Sequence, residues 1–413
     1  MPFDKEVAQD AVRPAGACRP LRIAFVLPGL PMGGAEQVVR LLAKHLSARH
    51  QVLVVSTSGG GAMQPLFERD GIALVLLDNP RRWTRPVSWL LALARSVRHM
   101  RRVLAKFAPD VVNLHLLGPE LDTWLAARLA QVDRLVLTIH NVYPLFRGAT
   151  WRDRARRLWL RLVWSRFDAA IAVSEEVQDW AVRHRMFRPE RVFVVRNGVD
   201  PPEAVGGAKR ARLREEEGLS PQSTAFVTVG SLRQKKGHAV LLEAIALMPQ
   251  HVRERSVFLL AGDGPERQKL EQQAHSLGID ASVRFLGIRH DIPRLLALSD
   301  VFVVSSYYEG LSMALLEAMA AGLPVVSTRV AGSTLVIRDG VNGKLVPQGD
   351  AAALSCALVD CVEHPSDARG LGEAGRDLVS REFNAAQMAR STEALFALVL
   401  GGGLVRWEGG MHP

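Results

Sequence analysis

The stretch YYEGLSMALLEAMAAGLPVV, residues 307–326, keeps two carboxylates, Glu309 and Glu317, in an otherwise apolar run. It follows VFVVSS, 301–306, whose unbroken β-branched and apolar character reads as a buried strand. Ser312 is placed to cap a helix running through Ala321, and Gly322 and Pro324 stop it. Glu309 then lies in the loop past the strand's carboxyl end and Glu317 inside the helix, where a carboxylate among apolar neighbours is costly without a partner. Gly310 lets the backbone turn sharply or approach a ligand. The free N–H groups around Leu311 to Ala314 favour an anion. An anionic ligand carrying hydroxyls on two of its parts would satisfy all three features.

The same strand-then-helix alternation runs outward in both directions, the pattern of parallel sheets covered by helices on both faces. The front half offers RIAFVLP (22–28), VLVVST (52–57), IALVLLD (72–78), DVVNLHL (110–116), RLVLTIH (134–140), AAIAVS (169–174) and VFVVRNG (192–198). A Pro/Gly-rich polar stretch, DPPEAVGGAKR at 200–210, interrupts it as an interdomain linker would. The pattern restarts with AFVTVGS (225–231), FLLAGDG (258–264), VRFLG (283–287), VFVVSS and PVVST (324–328). The fold expected is α/β: two doubly wound, Rossmann-like domains facing each other across a cleft, with ligands at the carboxyl ends of the strands. The division predicted is a loosely ordered 1–20, an acceptor-binding domain at 21–200, a donor-binding domain at 201–383, and a helix at 384–400 packing back on the first domain.

A chain of 413 residues with 48% apolar and 23% charged residues suits two soluble globular domains. Cys18, Cys356 and Cys361 form no CxxC pair and supply neither a disulfide framework nor a four-ligand zinc site, which fits a reducing compartment. The first twenty residues lack the apolar core of a secretory signal, and ALFALVLGGGLV at 394–405 is too short to span a bilayer. Residues 1–200 hold 30 Lys and Arg against 18 Asp and Glu, whereas the remainder holds 22 against 24. The basicity belongs to the front half, which points to an anionic partner there, or to an arginine-rich composition alone.

The segment EGLSMALLE, followed by AMAAGLPVV, resembles the E-x7-E signature of the retaining glycosyltransferases of family 4, which have the two-domain fold called GT-B. The resemblance implies that Glu309 contacts the transferred sugar and Glu317 holds the ribose of a nucleotide. It extends over most of the chain. GGAE at 33–36 resembles the loop whose amides approach the diphosphate, at Gly33 and Gly34. TIHN at 138–141 places His140 near the sugar, with His115 the lesser candidate. VSE at 173–175, NGVD at 197–200, GDGPER at 262–267 and DGVNGKLVPQGD at 339–350 match further family patterns. In VGSLRQKKGH, 229–238, Lys236 precedes Gly237 as the family's diphosphate-neutralising lysine does. Ser231 stands where the family has an arginine, and Arg233, two residues on, is the candidate to replace it. Leu335, within VAGSTLVI, stands where many relatives have a glutamate.

The resemblance implies a nucleotide diphosphate sugar as donor and retention of anomeric configuration without a protein nucleophile. No DxD triplet is present, so no metal and no cofactor are expected. The sequence HNVYPLFRGATWRDRARRLWLRLVWSRF, 140–167, carries seven arginines against one acid, with three tryptophans. On a helical wheel Arg154, Arg157 and Arg161 share a side, and Trp151, Ala155, Leu158 and Leu162 form an adjoining stripe, with Trp159 and Trp164 outside it. Such a helix suits an anionic membrane surface, as does the basic, aromatic stretch 83–107. The reading is therefore a hexosyl- or N-acetylhexosaminyl-transferase of bacterial polysaccharide assembly, peripheral on the cytoplasmic membrane face, with a lipid-linked or membrane glycan acceptor. A nucleotide-sugar epimerase of the same fold and a catalytically idle binding protein are the alternatives. Nucleic-acid binding has only charge in its favour.

Overall fold

The structure, a computed structural model, describes residues 19–78, 86–142 and 150–402. Seven parallel strands form the front sheet: β1 (Arg22–Leu27), β2 (Gln51–Ser56), β3 (Ala73–Leu76), β4 (Val111–His115), β5 (Arg134–Ile139), β6 (Ala169–Ala172) and β7 (Val192–Val194), in the order 3-2-1-4-5-6-7. Six more form the second: β8 (Thr224–Val229), β9 (Ser256–Ala261), β10 (Val283–Gly287), β11 (Val301–Val304), β12 (Val325–Thr328) and β13 (Lys344–Val346), in the order 10-9-8-11-12-13. Both orders reverse beside the first strand of their sheet, between β1 and β4 and between β8 and β11. Ligands of doubly wound sheets bind at such switch points.

β13 lies inside DGVNGKLVPQGD, which gives no strand signal because three residues between Gly and Pro are too few to show a period. The linker expected at 200–210 ends earlier than its composition suggests, since the helix Gly207–Glu216 begins within it. Tertiary ion pairs override the weak local preference there: Arg210 reaches Asp300 at 2.6 Å and Arg214 reaches it at 2.9 Å.

The front sheet carries the helices Pro86–Phe107, Glu120–Leu129, Trp151–Trp164 and Glu175–Arg183 on one face, with Met100, Leu104, Val163, Trp164 and Trp180 in their shared core. The helix Gly34–Leu46 covers the other face, and Ala385–Leu400, the last helix described, packs against it. The two chain crossings between the domains bond to each other. Val199 N–H donates to Phe383 O at 2.8 Å and Ala385 N–H to Val199 O at 3.0 Å. His50 accepts from Leu21 N–H at 3.1 Å and holds Glu393 of the last helix at 2.9 Å, with Arg49 on the same carboxylate.

Candidate active site

Lys236 and Glu309, 73 positions apart in sequence, form an ion pair at the carboxyl ends of β8 and β11. Backbone contacts bring the two loops together. Gly237 has φ +65, and a Cβ there would lie 1.9 Å from Ser305 O, so only glycine lets the lysine loop touch the end of β11. Ser305 Oγ then donates to Lys236 O at 2.9 Å and Tyr307 N–H to Lys235 O at 2.9 Å. Gly332 supports the other side of the loop: its N–H donates to Glu309 O at 3.1 Å, and a Cβ would meet Gly310 O at 1.9 Å. Ser306 Oγ adds a hydrogen bond to the Glu309 carboxylate at 3.3 Å.

Glu317 sits lower, in the helix Met313–Ala320, with its carboxyl at the seam between the domains. Gln37 of the front domain donates to it at 3.0 Å, and Arg40, paired with Asp70 at 2.7 Å, orients Gln37 through its Oε1 at 3.1 Å. Burial pushes the Glu317 carboxyl up to about 7, with Gln37 and Arg40 opposing the shift. The same seam explains two glycines. A Cβ on Gly34 would lie 3.4 Å from Met313 Cγ, and one on Gly310 would lie 3.2 Å from Asn141 Oδ1. Gly310 adopts no left-handed conformation, so its smallness serves close approach of the opposite wall, not the sharp turn the sequence allowed.

Gly33 has a different reason. Its extended backbone precedes the helix Gly34–Leu46, and the Glu36 carboxylate folds back to within 2.3 Å of where its Cβ would be. Glu36 thus occupies the helix start that the family resemblance offers to a diphosphate. It is almost wholly buried, and desolvation raises its carboxyl to about 7 against a bond from its own backbone N–H. A carboxyl raised in the folded state keeps protons that the unfolded chain has lost, so it costs stability as pH rises from about 4.5 to 7. The buried His115, His140 and His238, all lowered, act with the opposite sign over an overlapping range. The difference between Glu36→Gln and its parent isolates the carboxyl. In urea melts its advantage over the parent is expected to grow from pH 5 to 8 and to level near about 3 kcal/mol. An advantage independent of pH would place the proton elsewhere.

Ser312 stands at the N-cap of Met313–Ala320, but its side chain makes no capping bond, contrary to expectation. It lines a small polar cavity with Thr228, Gly230, Lys236, His238 and Ser306, and among the described residues the buried His238 Nδ1 has no partner. Leu311 is buried just before it. Arg233 is exposed at the start of the turn Gln234–Lys236 and makes no ion pair among the described residues. His140, past the end of β5, turns Nε2 toward His115 Nδ1 at 2.9 Å. Tyr308, unremarked in the sequence, donates to Val142 O of the opposite domain at 3.0 Å. Gln37 and Arg40 were also missed; their i, i+3 spacing after GGAE was the available signal.

With this geometry in place, the chain matches the family described as Glycosyl transferases group 1 over residues 209–378 and that described as Glycosyltransferase Family 4 over residues 32–203. It is 30% identical to the protein EpsD of Bacillus subtilis over 69% of this chain and 75% of that one. The chain belongs to glycosyltransferase family 4. It is also 28% identical to the UDP-Gal:alpha-D-GlcNAc-diphosphoundecaprenol alpha-1,3-galactosyltransferase of Escherichia coli, over 64% of this chain and 69% of that one. Among solved structures, Anabaena Alr3699/HepE in complex with UDP and glucose superposes with a TM-score of 0.78 at 23% identity, covering 91% of this chain and 99% of that one, which establishes the GT-B architecture. The protein is a glycosyltransferase of glycan biosynthesis.

This glycosyltransferase carries an exposed apolar edge on its front domain. The helix Trp151–Trp164 starts with a capping box between Thr150 and Asp153 and docks through Leu160, Val163 and Trp164. Trp151, Leu158, Trp159 and Leu162 face outward, 48–73% exposed, beside the exposed Arg154 and Arg156. The helical wheel is corrected in two places. Trp159 joins the exposed apolar set, and Arg161 turns onto its own domain, donating to His184 O at 2.9 Å. Leu90 and Leu91 are exposed on Pro86–Phe107, while 79–85 and 143–149 lie outside the described residues. Among the described residues no helix is long and apolar enough to cross a membrane.

Proposed function

We propose that this glycosyltransferase moves a sugar, with retention of anomeric configuration, from a nucleoside diphosphate sugar to a lipid-linked or membrane-embedded glycan during bacterial polysaccharide assembly. The observation that carries the reading is the Lys236–Glu309 pair set above Glu317, all at the switch point of the second sheet and closed over by the front domain. Glu317 accepts the ribose hydroxyls. Lys236, the amides of Leu311 and Ser312 and the start of Met313–Ala320 take the diphosphate, with Arg233 swinging in from solvent. Glu309 contacts the transferred sugar from above, and His140 lies across the cleft.

Breaking the anomeric bond loads negative charge onto the leaving oxygens. A fixed ammonium and helix N–H groups stabilise that charge without a metal ion. Glu309, already paired with Lys236, serves as electrostatic support rather than as an attacking group. The relatives favour this chemistry: one is named for UDP-Gal and a diphosphoundecaprenol-linked acceptor, and HepE holds UDP and glucose. Incubation with UDP-, GDP- and ADP-sugars and membrane extract tests the reading. Release of nucleoside diphosphate with transfer of label to lipid-extractable glycan is expected, and a panel with no release would end it.

The exposed tryptophans and leucines of Trp151–Trp164, interleaved with arginines, suit the interface of an anionic bilayer on the cytoplasmic side. Trp159→Ser with Leu162→Ser is expected to lower binding to phosphatidylglycerol vesicles about tenfold or more. Donor hydrolysis in solution should be unchanged. Equal binding by variant and parent would remove the membrane from the reading.

A further inference from the structure

A directional chain of hydrogen bonds runs through the front sheet to His140. Asn113 of β4 is fully buried, and its Nδ2 donates to Val136 O at 3.2 Å and to Thr138 Oγ1 at 3.0 Å. A main-chain carbonyl can only accept, so the amide nitrogen is fixed on that side and Oδ1 faces His115 Nε2 at 2.8 Å. An amide oxygen can only accept in turn, which places the His115 proton on Nε2. Burial holds His115 neutral, so its Nδ1 carries a lone pair. His140 Nε2, 2.9 Å away, must then be the donor. His140 is also kept neutral by burial, and its remaining lone pair is on Nδ1. Among the described residues no group answers Nδ1, and it is not one of the sealed, unpartnered atoms. The residue stands past the end of β5, where its carbonyl lies 3.5 Å from the place of a Cβ on Gly310 of the other domain.

We propose that Asn113 and His115 are positioning residues that lock His140 in its Nε2–H form, so that Nδ1 is presented to the cleft as a hydrogen-bond acceptor for a substrate hydroxyl. This rests on the donor-sugar reading above for the identity of the hydroxyl, and it deepens that reading by giving His140 a polarity. A lone pair cannot donate to phosphate oxygens, so His140 selects sugar hydroxyls and leaves the diphosphate to the second domain. The polarity originates in one carbonyl of β5 and is relayed to the histidines by the Asn113 side chain.

Long-range proton–nitrogen spectra of 15N-histidine-labelled protein read the tautomers directly, with His140→Phe giving the assignment. The parent, without ligand, is expected to show His115 and His140 neutral, each with a protonated Nε2 and a bare Nδ1. Finding His140 as Nδ1–H or as imidazolium overturns the proposal. Asn113→Leu is expected to mix the tautomers of both rings and to lower kcat about tenfold with donor KM within about twofold. Asn113→Asp, whose oxygens can only accept, loses the bond to Val136 O and sets a carboxylate against His115, so it is expected to shift His115 toward imidazolium and not to restore the parent spectrum. An Asn113→Leu protein with the parent's spectrum would show a merely structural asparagine and overturn the proposal. Failure of every nucleotide sugar to react would sink the donor reading while leaving the spectra to decide the relay.

Discussion

In a Lys236→Met variant, release of nucleoside diphosphate from the donor is expected to slow by about 100- to 1,000-fold, mostly in kcat. Two effects combine. The ammonium that would meet the charge growing on the leaving oxygens is gone, and Glu309, its ion-pair partner, is left as an uncompensated carboxylate beside an incoming diphosphate. Adding Glu309→Gln removes the second effect, so the double variant should lose far less than the product of the two single losses. Steady-state kinetics on the four proteins of this cycle give the coupling directly. Strict multiplicativity would mean that lysine and glutamate do not share one site during turnover.

Glu317→Gln should move activity and stability in opposite directions. With Glu317 proposed to accept the ribose hydroxyls, a neutral amide in its place is expected to lower kcat/KM for the donor about 100-fold, chiefly through KM. Without added nucleotide the variant should be more stable at pH 8 by about 3 kcal/mol, because a carboxyl raised to about 7 by burial no longer has to ionise in the seam between domains. Thermal melts at pH 5 and pH 8 with and without nucleotide check both halves. The stability gain should shrink to under about 1 kcal/mol at pH 5, and stabilisation by added nucleotide should be lost in the variant. A variant that melts lower than its parent at pH 8 would show that Gln37 and Arg40 overcome the burial cost.

The sheets, their parallel sense and the placing of Glu309 and Glu317 in loop and helix were legible because buried parallel strands are continuous apolar runs and helices have definite stops. β13 and the helix Gly207–Glu216 were not, since one is too short to have a period and the other forms around an ion pair with Asp300, far along the chain. The glycines were legible as glycines only. Sequence could not say that Gly33 yields to a carboxylate of its own helix, Gly34 and Gly310 to the facing domain, and Gly237 to the end of β11.

By itself the sequence determined the family, the GT-B architecture and a short roster of ionisable residues around one cleft. Only the tertiary structure decided which partners those residues meet: Lys236 meets Glu309, Gln37 meets Glu317, Glu36 its own helix start, and His140 meets His115. The reason is distance. Local pattern governs which residues share an element, whereas hydrogen bonds, burial and proton affinity depend on which atoms from remote strands come within about 3 Å, and strand order sets that.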